Sequence, residues 1–193
     1  MLISPNFPVV LDACVLYPAP VRDLLLNLAD FEFYKPKWTH RIQGEWKNSL
    51  LKTRTDLSVN QLDRTIHMME TAFPDACVED YESLIMACEM PDDNDRHVLV
   101  AAIKCKAEII VTSNLKDFPK TALRSFQVEA RHPDEFISTL IDLDPIRATM
   151  AFQQQVAFLV NPPMVAEQVL FTLERCNLKR SVAKLRRFAL PRS

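Results

Sequence analysis

Glycine is almost missing: Gly44 is the only one in 193 residues. Tight turns must therefore be built from Asn, Asp and Pro. The five cysteines, Cys14, Cys77, Cys88, Cys105 and Cys176, are odd in number and scattered. None forms a C-x-x-C pair, so no zinc knuckle or redox motif is indicated, and core packing in a reducing cytosol is expected. No apolar run approaches the roughly 20 residues of a membrane-spanning helix. The N-terminal stretch MLISPNFPVVLDACV has no basic segment, and Asp12 interrupts its apolar run, so neither a signal peptide nor a membrane association is expected. There is no global positive field, because the formal net charge is −2. Internal repeats and low-complexity tracts are also lacking.

What is present suits a packed, cytoplasmic protein: 48% of residues are hydrophobic and 25% charged, far from the composition of disordered chains. Val9, Val10 and Leu11 form the heart of a buried first strand that ends at Asp12. Pro20 opens a helix with Val21, Leu24, Leu25 and Leu28 at helical spacing. Ile42, Trp46 and Leu50 mark a second helix over 39–51, with Glu45 one step around from its apolar face. A polar helix over 58–73 begins at a Ser58 cap, and Asp75–Glu79 is read as a short strand. An acidic loop, Met90-Pro-Asp-Asp-Asn-Asp95, hands over to a helix at His97–Lys106. Glu108–Thr112 is the clearest strand, and Phe126–Glu129 is read as another, followed by a helix from His132 to about 142.

Strands alternating with helices predict an α/β fold with a mainly parallel central sheet flanked by helices, and ligands at the C-terminal ends of its strands. Beyond Asp144 only helical periodicity remains, over 145–159 and 164–188, separated by Asn161-Pro162-Pro163. The expected organisation is a domain over 1–143 and a helical C-terminal extension over 144–193. Charge is segregated too: Arg175, Lys179, Arg180, Lys184, Arg186, Arg187 and Arg192 follow one another with no acid between them.

The acids carry the chemistry. Asp12 and the pair Asn114/Asp117 follow two strands of one parallel sheet, and Asp95 opens the helix leading into the second, so all should converge on one sheet edge. Alone, each has a plain alternative: a turn-initiating Asp12, an exposed helical Glu45, a helix cap at 92–95, an ordinary turn at 114–117. Crowded together, carboxylates repel unless a divalent cation neutralises them. Oxygen-only ligands select Mg²⁺ or Mn²⁺ over zinc. A calcium hand is excluded, because a loop starting at Asp93 has Val98 where glycine is needed and Lys104 where glutamate is needed.

Val9-Val-Leu-Asp-Ala-Cys14, Arg41-Ile-Gln-Gly-Glu-Trp46, Asp92-Asp-Asn-Asp-Arg-His-Val-Leu-Val-Ala-Ala102 and Ile110-Val-Thr-Ser-Asn-Leu-Lys-Asp-Phe118 resemble, in order and spacing, the motifs of the PIN-domain nucleases over about residues 7–140. The resemblance implies a metal-dependent endoribonuclease leaving a 5′-phosphate and a 3′-hydroxyl, often the VapC-type toxin of a toxin–antitoxin pair. On it, Asp12, Glu45, Asp95 and Asp117 are the catalytic and metal-binding acids, Mg²⁺ or Mn²⁺ is the cofactor, and Thr112 and Asn114 line the pocket. His97 is placed at the substrate phosphate or behind the acids. RNA, a cognate antitoxin and a homodimer are the expected partners. One departure is Cys105-Lys106-Ala107, where a glycine commonly precedes the second strand. His40, His67 and His132 show no ligand spacing and are given no role.

A haloacid-dehalogenase-type phosphatase needs a second Asp two residues after Asp12, where Cys14 stands, and a response-regulator receiver needs an acidic pair and a phosphoacceptor that this chain does not offer. The remaining alternative is a noncatalytic PIN fold used for RNA binding or scaffolding, which tends to lose acids from the cluster. All four are present here. The basic tail reads either as a phosphate-tracking surface or as an amphipathic docking element with a solvated face.

Overall fold

The computed structural model describes residues 7–88, 90 and 92–189, so Pro91 of the acidic loop and Arg192 of the basic tail lie outside the described residues. In chain order the elements are β1 (Pro8–Leu11), α1 (Ala13–Leu16), α2 (Ala19–Asp30), β2 (Lys35–Lys37), α3 (His40–Thr53), α4 (Val59–Ala72), α5 (Arg96–Cys105), β3 (Ile109–Val111), α6 (Lys120–Leu123), β4 (Glu129–Arg131), α7 (Pro133–Leu143), α8 (Pro145–Phe158), α9 (Ala166–Arg175) and α10 (Lys179–Ala189). They divide into two compact units. One comprises Phe7–Tyr17 and Lys35–Arg131; the other holds Pro18–Tyr34 and the chain from His132 onward.

The first unit is built on a four-stranded, wholly parallel sheet of order β2-β1-β3-β4, as the α/β reading expects. Val10 pairs with Ile110 and Leu11 with Val111 across its centre. These apolar residues are fully buried, which is the signature of parallel strands covered on both faces. The edge strands β2 and β4 have the sequences Lys-Pro-Lys and Glu-Ala-Arg. Proline and charge are tolerated there because an edge strand leaves one row of backbone groups unpaired and is protected from aggregation by its polar side chains. Helix α5 packs on β1 and β3, and its Val98, Leu99, Val100, Ala101 and Ala102 are all buried. Thr39 caps α3 by accepting from Ile42 N at 3.1 Å. Ser58 and Gln61 close a capping box at the start of α4.

Three expectations shift. Phe126–Glu129 is not the strand: Phe126 ends a 3₁₀ turn and Gln127 takes a left-handed φ of 57°, so pairing begins only at Glu129. Asp75–Glu79 forms a single parallel bridge, Trp38 to Cys77, rather than a strand. The stretch 164–188 is two helices, because Asn177 at φ 65° breaks it between α9 and α10. Lys106, where a glycine was anticipated, is the left-handed C-cap of α5 with φ 57°.

The second unit is helical. α2 packs on α8, and α10 packs on α7, α8 and α9. Tyr34 meets Phe136 edge to face at 5.1 Å, and the Arg147 guanidinium lies 4.3 Å from the centre of the Phe33 ring. Asp134, buried on α7, accepts from Arg180 N at 2.9 Å, Ser181 N at 2.8 Å and Ser181 Oγ at 2.7 Å. One carboxylate thus closes the N-terminus of α10. Among the described residues no helix is long and apolar enough to cross a membrane.

Candidate active site

Asp12 leaves β1 at its C-terminal end and caps the short helix α1, its Oδ1 accepting from Ala13 N at 2.7 Å. Its Oδ2 accepts from Thr112 Oγ1 at 2.7 Å and from Cys14 Sγ at 3.0 Å. Only 7% of Asp12 is exposed, and this set of donors is what makes a nearly buried carboxylate tolerable. Thr112, completely buried just after β3, also accepts from Asn114 N at 3.0 Å. Its hydroxyl therefore ties the ends of the two central strands together. Asn114 donates through Nδ2 to Asp117 Oδ2, bringing the last acid of the motif to the same edge.

The acidic loop sorts its own carboxylates. Asp92 accepts from Asn94 N at 2.8 Å and so shapes the turn. Asp93 pairs with Arg96 at 2.5 Å. Asp95 stands at the cap position of α5 yet its side chain caps nothing. Burial, then the neighbouring charges of Asp12, Asp92 and Asp117, push its carboxyl up to about 6.

Glu45 comes from the middle of α3. Its Oε1 accepts from Arg41 Nε at 3.0 Å and His97 Nε2 at 3.1 Å. Burial works to raise this carboxyl, but His97 and Arg41 outweigh it and hold it below the ordinary glutamate range. His97 is only 1% exposed, and it faces Glu45 rather than solvent. Its placement suits holding that acid in position better than touching substrate.

Asp12, Cys14, Tyr17, Glu45, Ser49, Asp95 and Asn114 line one cavity of about 400 Å³. Asp12, Glu45 and Asp95 thus share a wall-to-wall space, with Asp117 joined to it through Asn114. The acids are spread around this cavity: among the described residues no three of them bring carboxylate oxygens within 4.8 Å of one another. Unneutralised like charges favour such spacing. Two participants were missed in the sequence. Arg41 precedes Glu45 by four residues, a helical-neighbour spacing that could have been read, and it also donates to Asn94 O at 3.3 Å. Cys14 is tied to the site by accepting from Ser113 N at 3.2 Å, and nothing in its sequence context announces that. Burial, then Asp12, push its thiol up to about 12, so it is a neutral donor here and not a nucleophile.

The donor set fits a hard divalent cation. Every candidate ligand is a carboxylate oxygen, and the charges of Asp12, Asp92 and Asp117 around Asp95 outweigh that of His97. A parallel sheet presenting Asp12 and Asp117 beyond its strand ends, with Asp95 and Glu45 brought in from two helices, defines a PIN-type architecture. The chain belongs to the PIN domain family, whose model matches residues 8–116. The VapC50 C-terminal domain model matches residues 133–187. Over 93 residues the chain is 39% identical to "Putative ribonuclease VapC50" of Mycobacterium tuberculosis, a match covering 48% of this chain and 54% of that protein. The matched segment thus spans about half the length of this curated relative. No solved structure matches.

Proposed function

We propose that this protein is an endoribonuclease that hydrolyses RNA phosphodiester bonds with Mg²⁺ or Mn²⁺, acts in the cytoplasm, and serves as the toxin of a toxin–antitoxin pair. The observation that carries the reading is Asp95: a carboxyl beside Asp12 and Asp117, pushed up to about 6, capping no helix, and facing the cavity shared with Asp12 and Glu45. An acid kept in that position at an energetic cost is expected where a cation will offset it. The PIN family and the ribonuclease relative support the same reaction class.

Asp12, Glu45, Asp95 and Asp117 would hold the ion. When bound it supplies Lewis-acid polarisation of the phosphate and a more acidic water. The protein's own groups do the positioning. Thr112 and Cys14 donate to Asp12 and fix its orientation, His97 and Arg41 do the same for Glu45, and Asn114 orients Asp117. Arg41, partly exposed beside Glu45, offers a cation to an incoming phosphate, and Asn114 lines the cavity as a neutral contact.

The register of the acidic loop tests this assignment. Asp95→Asn should reduce RNA cleavage at least a hundredfold, while Asp92→Asn and Asp93→Asn retain most activity. Equal losses at the three positions would overturn it. Absence of RNA cleavage by the folded wild-type protein with either ion would favour the noncatalytic alternative, in which the fold binds RNA or a protein without cutting.

A further inference from the structure

On the same sheet-bearing unit, away from the oxygen-only cluster, three side chains of different chemistry meet. His40 is the first residue of α3, and Cys77 and Glu79 lie in the extended segment after α4. One ligand atom from each falls within 4.8 Å of the others.

The backbone explains why. Trp38 and Cys77 form an isolated parallel bridge, with Trp38 N donating to Ala76 O at 3.0 Å and Val78 N donating to Trp38 O at 2.8 Å. Side chains alternate along an extended segment. Ala76 and Val78 are therefore buried, and Cys77 and Glu79 turn outward together. Two residues on from the bridge, His40 stands level with Glu79. Its ring is bracketed: Nε2 lies 3.9 Å from Glu79 Oε1, and Nδ1 lies 3.8 Å from Glu70 Oε1 on α4.

We propose that His40, Cys77 and Glu79 form a second metal site, of zinc type, with Glu70 as the carboxylate that orients the histidine. The donor set is one imidazole nitrogen, one thiolate sulfur and one carboxylate oxygen. That combination selects a borderline-soft ion such as Zn²⁺ and not the hard Mg²⁺ or Mn²⁺ suited to the catalytic acids. Zinc bonds of about 2.0–2.3 Å place tetrahedral ligands roughly 3.3–3.8 Å apart, so the 3.9 Å between Nε2 and Glu79 needs little adjustment and Cys77 a modest side-chain turn. Glu70 stands where a second carboxylate commonly accepts from the far nitrogen of a metal-bound histidine. Three protein ligands leave a position for water or another small ligand. An ion here joins the start of α3 to the segment after α4, bracing the helix that carries Glu45.

The test is a Co²⁺ titration of the chelator-treated full-length protein in excess Mg²⁺, which saturates the oxygen-only cluster. One equivalent should produce a thiolate-to-cobalt charge-transfer band, and equimolar Zn²⁺ should abolish the band and raise the melting temperature. Cys77→Ser should remove the band; His40→Ala and Glu79→Gln should each weaken binding at least tenfold, and these exposed substitutions leave the fold intact by circular dichroism. Cys14→Ser, at the other cluster, should retain the band. A histidine bracketed by two glutamates through charge alone gives no sulfur band, and that result overturns the proposal, as does a band lost in Cys14→Ser but kept in Cys77→Ser.

Discussion

At Asp95 two demands conflict: a carboxylate placed among Asp12, Asp92 and Asp117 is useful to a cation but unfavourable without one. Its folded value of about 6 stands above the 3.8 of an ordinary aspartate. The folded protein therefore holds this proton more tightly than the unfolded chain, and stability falls as pH rises from about 4 to about 6. Asp95→Asn removes the penalty. The variant should melt higher than the metal-free wild type at pH 7, and the gap should vanish by about pH 4. A gap that persists or reverses at acid pH would show that Asp95 stabilises the fold by other means. Thr112 makes the opposite case. Its hydroxyl donates to Asp12 and accepts from Asn114 N while fully buried. Thr112→Val should cost about 1–3 kcal/mol in denaturant unfolding, because it leaves the buried Asp12 Oδ2 with only the weak Cys14 thiol donor and takes the acceptor from Asn114 N.

Among the elements, the single glycine is spent where none is required. A Cβ on Gly44 would meet nothing within 4 Å, inside helix α3, so Gly44→Ala should stabilise by up to about 1 kcal/mol. Left-handed positions go instead to Glu32, Asp80, Lys106, Gln127 and Asn177. Lys106→Gly should likewise gain about 1 kcal/mol at the end of α5. Asp134→Ala should lose about 2–3 kcal/mol, since it leaves the Arg180 and Ser181 backbone donors at the start of α10 without their acceptor.

The central strands were legible because burial on both faces demands unbroken apolar runs, as in Val9-Val10-Leu11 and Ile109-Ile110-Val111. The edge strands were hidden because Lys35-Pro36-Lys37 and Glu129-Ala130-Arg131 owe their conformation to a neighbour rather than to β propensity. The four acids could be read because each sits beside a strong element signal. For His97 the sequence left two places open, at the phosphate or behind the acids, because the choice depends on which faces of α3 and α5 meet. His40, Cys77 and Glu79 have no ligand spacing at all, and their proximity comes from one backbone bridge.

For the molecule as a whole, the basic C-terminal stretch is less free than its sequence implies. Lys184 binds Asp142 at 2.5 Å and Ser138 O at 3.1 Å. Arg186 reaches Glu167 at 2.8 Å and Glu174 at 3.7 Å. Leu178, Val182 and Leu185 are buried within the helical unit. The balance favours a packing element over a phosphate-tracking surface. Neutralising Lys184 and Arg186 should leave the salt dependence of RNA binding unchanged, whereas each lost phosphate contact would flatten it by about 0.7 on a single strand.

The central claim is that the carboxylates around Asp12 serve metal-dependent hydrolysis of RNA. It is tested most directly by single-turnover cleavage of an end-labelled RNA pool by the purified full-length protein, with Mg²⁺, with Mn²⁺ and with EDTA, beside a folded Asp12→Asn variant. The account predicts cleavage with either ion, leaving 5′-phosphate ends, and none in chelator or in the variant. Undiminished cleavage in EDTA, or by Asp12→Asn, would contradict it.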